Sequence, residues 1–333
     1  MTNSVTKTQF GSETAPSDDR VGIVPSSARI SSPRLAAVEW LRLLAIAAVV
    51  FLHLDAGPLW MAMAGVMCFV SLMTAFTASS TLRRNPTELI SLRAQRLLVP
   101  WFLWSGVYAV AKMADAVVKH EPLTTLYEPW MLFAGSSLHL WFLPWAFVVC
   151  VVVGVWFAQR KFYHQSESAW WGCILLAICL YIVSTHVYPI LHRNGISPPH
   201  LWILYTPAVA VGLALARIPP GVSTSTPKLI ALVSGIGLAG TEAVMYGHAT
   251  VAIAMTLSAF LCALAWHIPL VAGSMTVRLG SMSYGIYIVH LLVARILSRL
   301  VPGMDGEGRA LIVLILSGLF VALLQQTPLR RVI

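Results

Sequence analysis

The sequence predicts an all-α, polytopic membrane protein: a helix bundle of about ten transmembrane helices with both termini cytoplasmic. Three observations carry that expectation. Of 333 residues, 58% are hydrophobic and only 11% are charged. The mean hydropathy is +0.77. The apolar residues also run in long uninterrupted windows. A soluble domain carries about a quarter charged residues to keep its surface wet, so the exterior of this chain faces something other than water. At roughly 20 apolar residues per crossing there is room for about ten spans and little else. A large soluble domain is excluded.

The windows fall at 35–56, 58–81, 97–117, 139–159, 169–188, 201–216, 229–247, 249–268, 281–300 and 309–326. The sixth is short and interrupted by Pro207; Pro100 and Pro144 mark helix starts or kinks that neighbouring helices can tolerate in a membrane. With the N-terminus cytoplasmic, fifteen Lys and Arg fall on that side and four on the other, the remaining three lying within helices. That bias orients an even number of spans with both ends inside. Residues 1–33 are rich in Ser, Thr and Pro and lack a long apolar stretch, which predicts a disordered cytoplasmic tail and no cleavable signal. Residues 34–327 then form the membrane domain and 328–333 a short cytoplasmic tail. The formal net charge of +9 sits in short clusters between apolar runs. It encodes topology, not a nucleic-acid surface. Cys68, Cys150, Cys173, Cys179 and Cys262 all lie in apolar runs without ligand spacing and read as small core residues, so no metal is expected. No internal repeat points to an inverted-repeat transporter.

Ionisable groups inside the hydrocarbon are costly and so are functional candidates. The first window, AVEWLRLLAIAAVVFLHLDAG, holds Glu39, Arg42 and His53. Glu39 and Arg42 are spaced i, i+3 and can pair. Arg42 and His53 lie eleven residues apart, close to three turns and about 16 Å along the axis. A snorkelling Arg and an interfacial His would be the plainer account. The segment RRNPTELISLRAQRLLVPWFLWS carries Arg83, Arg84, Arg93 and Arg96 before a Pro- and Trp-marked helix. Two charges would suffice for topology; four could also grip a phosphorylated cytoplasmic ligand through forked hydrogen bonds. SSLHLWFLPWAF brings His139, Trp141 and Trp145, which could equally form an interfacial aromatic belt. SMSYGIYIVHLL places Ser283, Tyr284, Tyr287 and His290 in an apolar helix, where a Tyr–His pair could simply tie helices together.

In this order, Glu39-x-x-Arg42 with His53 after ten residues, the RxxR before the Pro-Trp helix, LHLWFLP and SYGIYIVH resemble the acyltransferase family 3 membrane proteins over roughly residues 34–327. The Arg-x10-His and Tyr-x-x-His elements are the specific parts. The family acylates surface glycans and related acceptors, and the resemblance implies an acyl-CoA co-substrate, most often acetyl-CoA, arriving from the cytoplasm. No permanently bound cofactor is implied. The implied partners are acyl-CoA, a surface glycan or lipid-linked sugar and membrane lipid, and the implied location is a bacterial cytoplasmic (inner) membrane.

On this reading Arg83, Arg84, Arg93 and Arg96 receive the nucleotide and Arg42, backed by Glu39, meets the pantetheine or pyrophosphate. His53 acts as base towards a sugar hydroxyl or as an acyl carrier. His139, Trp141, Trp145, Tyr284 and His290 are the substrate-positioning candidates. Two departures stand out. CFVSLMTAF has Leu72 after Ser71 where the family often has Gly, and no soluble esterase-like extension is expected. The rival function is a transporter or flippase for an anionic lipid-linked sugar, with Lys112 and Arg295 as further cations along its path; a scaffold without a site would leave the Arg-x10-His element unexplained.

Overall fold

The computed structural model describes residues 34–81, 85–159, 167–219, 221–222 and 225–333. The first 33 residues, and with them the expected tail, lie outside the described residues, as do Arg83 and Arg84. The chain forms α1 (Ala36–His53), α2 (Leu59–Thr81), α3 (Pro86–Lys119), the short α4 (Met131–Ala134), α5 (Phe142–Gln159), α6 (Glu167–Arg193), α7 (Pro199–Leu215), α8 (Thr226–Met245), α9 (Ala249–His267), α10 (Ser274–Leu300) and α11 (Gly306–Leu324). Among the described residues nine helices are long and apolar enough to cross a membrane, and α7 is a shorter apolar one. Each of the ten windows read from the sequence corresponds to one of these helices. The bundle is a polytopic helical membrane fold.

The differences are at the ends. Apolar windows stop where charge begins, but helices do not. α3 starts at Pro86, eleven residues before the window at 97, because Asn85 caps it: its side chain accepts from the Thr87 N–H at 3.2 Å, with Pro86 in the first turn. At 34 residues α3 is about 51 Å long against a hydrocarbon core of about 30 Å. Arg93 and Arg96 therefore sit on a helical extension, not in a loop. α6 likewise runs on through Pro189, and α7 continues through Pro207. The last residues are docked, not free: Trp104 Nε1 on α3 donates to the Val332 carbonyl at 3.0 Å.

α2 is the central helix. It packs against α1, α5, α7 and α9, and 61% of its spanning window is buried, against 22% for the peripheral α3 and α11. Without a hydrophobic difference between lipid and side chain, such helices gain by close van der Waals approach at small residues. The α2–α7 contact shows how. Ser71 Oγ donates to the Ala208 carbonyl at 3.0 Å, and a Cβ on Gly212 would lie 2.3 Å from the Ser71 carbonyl oxygen. The glycine missing after Ser71 is thus supplied from the opposite helix.

Candidate active site

α1 and α10 run side by side in the same direction. Their starts are joined by a short antiparallel bridge, with Ala36 N–H donating to Leu270 O and Ala272 N–H to Arg34 O, both at 2.7 Å. From there the two helices pack against each other along their length. Glu39 is 4% exposed, pairs with Arg42 at 2.9 Å and with Arg34 at 3.5 Å, and faces Gly280. One turn further on, Tyr284 donates its hydroxyl to the Arg96 carbonyl of α3 at 2.9 Å. Arg96 is exposed and Arg93 half-buried at this end of the bundle.

α1 stops at His53 because the chain cannot continue: Asp55 takes φ +54° and Gly57-Pro58 follow. This places the imidazole level with His290, ten residues and about 15 Å along α10 from Gly280. The rings of His53 and His290 stack with centroids 5.2 Å apart and 29° between planes. His139, from the turn leading into α5, completes the group at 6.3 Å from His53 and 5.3 Å from His290. Tyr108 of α3 and Tyr287 of α10 pack their rings on His139 at 5.0 Å and 5.8 Å.

The hydrogen bonds assign different jobs to the three imidazoles. His139 Nε2 faces only a carbonyl, Ile288 O at 3.4 Å, so that nitrogen carries the proton, and Nδ1 then accepts from the Ser137 hydroxyl at 2.8 Å. Tyr287 donates its hydroxyl to the His139 carbonyl. His139 is fully engaged and buried, 4% exposed. His290 Nδ1 faces the carbonyls of Tyr287 at 2.7 Å and Ile286 at 3.2 Å, so it too is the protonated nitrogen. Its Nε2 is buried without a partner, a free lone pair inside the bundle. Among the described residues His53 makes no hydrogen bond, and the residue is exposed. Tyr108 braces the group by donating to Ile288 O at 2.8 Å and accepting from Leu292 N–H at 3.1 Å. Among the described residues no group of His, Cys, Asp or Glu is arranged to hold a metal ion, and His139 has no free nitrogen to offer one.

The residues singled out from the sequence thus divide into two levels. Glu39, Arg42, Arg93, Arg96 and Tyr284 belong to one end; His53, His139 and His290 meet about 15 Å deeper. Glu39 and Arg42 do not touch His53, so they act on the site only through α1. Trp141 and Trp145 are buried, at 7% and 6%, and Trp141 is stacked on Tyr205 at 5.5 Å and 16°. Their ring faces are occupied by protein. Reasoning from sequence alone missed Tyr108, an isolated aromatic in an apolar run, and Ser137, whose spacing two residues before His139 was a usable signal.

The helices define an integral, multi-pass membrane protein, and three histidines from distant parts of the chain gather within its bundle. The family model described as acyltransferase domain, that of acyltransferase family 3, matches residues 35–324. The chain belongs to this family and is a membrane acyltransferase. Searches of the curated proteins and of the solved structures return no match.

Proposed function

We propose that the protein transfers an acyl group, acetyl in the first instance, from acyl-CoA to a hydroxyl of a cell-surface polysaccharide or glycolipid, with His53 as the general base. The observation that carries this reading is the pairing of an accessible imidazole, His53, with a buried one, His290, whose Nε2 lone pair has no partner. His53 takes the proton of the sugar hydroxyl, the oxygen attacks the thioester carbonyl, and the C–O bond forms as the C–S bond breaks. The CoA thiolate leaves and takes up the proton. His290 holds the His53 ring by stacking, and its vacant Nε2 leaves a lone pair beside the imidazolium that forms. His139, Ser137 and Tyr287 position the pair.

The two levels of the site suit the two ends of a CoA thioester. The nucleotide would lie with Arg93 and Arg96, beside the Glu39–Arg42 pair, and the pantetheine would run along α10 towards His53. On the positive-inside bias that end is cytoplasmic, as an acyl-CoA donor requires. The flippase alternative needs unpaired cations along a path, whereas Arg295 is ion-paired with Asp115. Purified protein tests the proposal: His53→Ala should lower acyl transfer about 10²–10⁴-fold, the range a general base contributes, at unchanged membrane expression. Transfer at the wild-type rate would remove His53 from the chemistry.

A further inference from the structure

We propose that a polar pocket beyond the histidines, bounded by Lys112, Asp115, Trp130 and Arg295, is the acceptor subsite, and that it takes a single uncharged sugar ring. The inference rests on the acyl-transfer reading above and names its acceptor. The pocket has a volume of about 270 Å³, at the lower edge of the roughly 300–1,000 Å³ typical of small-molecule sites, which suits one ring. It lies on α10, which carries His290, and on α3, which carries Tyr108, further along both. Lys112 is four residues past Tyr108 on α3, about 6 Å, and Arg295 five past His290 on α10, about 7.5 Å. This is the end opposite Arg42, Arg93 and Arg96. An acceptor seated there would reach His53 from the side the donor does not use.

The lining chemistry selects the ligand class. Lys112, Lys119 and Arg295 stand against Asp115, Glu121 and Glu128, so the formal charges cancel. A phosphate or uronate would meet carboxylates as often as cations. A neutral polyol, whose hydroxyls both donate and accept, can meet either kind of group. Asp115 fixes Arg295 and also binds Arg299, which sets the direction of both guanidiniums. Among the described residues Lys112 has no carboxylate within ion-pair distance; its ammonium lies 5.3 Å from the Trp130 ring centroid. That weak cation–π contact can be exchanged for hydroxyls. Trp130 supplies the apolar surface for the C–H face of a sugar ring, a role the buried Trp141 and Trp145 are not free to take. Its segment is anchored to α3: Ser136 donates its hydroxyl to the Ser105 carbonyl, and Gly135, at φ +79°, sits where a Cβ would strike Ser105 Oγ. The same loop goes on to deliver His139, so acceptor surface and positioning histidine are mechanically joined.

The test uses a deletion strain of the native host complemented with full-length variants, with acylated surface sugars measured by mass spectrometry. The same variants, purified, are assayed for thiol release from acetyl-CoA without acceptor. Trp130→Ala should lower the ratio of acyl transferred to thiol released about tenfold, the loss of one good aromatic contact. Trp130→Phe should restore most of it. Lys112→Met, which keeps the aliphatic stem, should lower the same ratio, so a folding failure of Trp130→Ala does not decide the matter. Tandem fragmentation should place the acyl group on, or next to, a neutral ring. Wild-type ratios in both variants, or acylation confined to uronate- or phosphate-bearing rings, would overturn the subsite. If the wild-type gene restores no acyl increment and the pure protein releases no thiol, acyl transfer itself fails, and the subsite with it.

Discussion

Replacing Gly280 by Ala tests whether the packing of α1 on α10 holds the site together. An added Cβ would lie 2.1 Å from Glu39 Oε2 and 2.8 Å from Glu39 Cβ. The carboxylate could swing aside, at the cost of its 2.9 Å pair with Arg42, but Cβ cannot. Carbon–carbon contacts rest at about 3.5–4.0 Å, so the two helices must part by about 0.7–1.2 Å. Overpacking of this kind costs about 1–3 kcal/mol, while Ala in place of Gly returns up to about 1 kcal/mol of helix propensity. The net loss of stability is at most about 3 kcal/mol. Catalysis is the more sensitive readout, because a displacement of about 1 Å at reacting groups costs about 10²-fold, and α1 carries His53 directly. The assay pairs thermal unfolding in nanodiscs, followed by tryptophan fluorescence, with the acyl-transfer rate. Gly172→Ala on α6, where a Cβ meets nothing within 4 Å, is the control: it should leave the rate unchanged and raise stability by up to about 1 kcal/mol. A Gly280→Ala protein with wild-type rate would refute the link from packing to site, whatever its stability.

Three further outcomes follow from the geometry. Substituting Arg93 and Arg96 together by Ala should raise the apparent KM for acyl-CoA about tenfold, the worth of one charged hydrogen bond, with less effect on the acceptor; steady-state kinetics with each substrate varied reads this, and equal effects on both would mean a folding role. Asp115→Asn leaves Arg295 and Arg299 uncompensated. As the side chains are 16%, 33% and 54% exposed, the loss should be about 1–2 kcal/mol, below the 3–5 kcal/mol of a fully buried pair, measured by thermal unfolding. Ser71→Ala removes the hydrogen bond to Ala208 O and should cost about 1 kcal/mol in the same assay, without moving the KM for either substrate.

Much of the architecture was legible in the chain itself. Hydrophobicity adds up along a sequence, so ten apolar windows gave ten helices, and even the short one at Pro199–Leu215 was visible as such. The ends were less legible to a hydropathy reading, since snorkelling Arg and Lys let helices outrun their apolar stretch; at Asn85-Pro86 the capping chemistry was nevertheless written in the sequence. The family, too, was readable from ordered elements around Arg42, His53, His139 and His290.

What only the tertiary structure decided is which of those residues meet. His53, His139 and His290 are separated by 86 and 151 residues, and their contact depends on the rotation and register of α1, α5 and α10. Those are set by close approaches such as Gly280 on Glu39 and by bonds such as Tyr108 to Ile288 O. No local pattern states them. The same packing turned Trp141 and Trp145 into the core, brought Tyr108 to the histidines, and left His290 Nε2 buried without a partner beside His53. Composition determines that a helix enters the membrane; steric fit between helices determines which of its faces does chemistry.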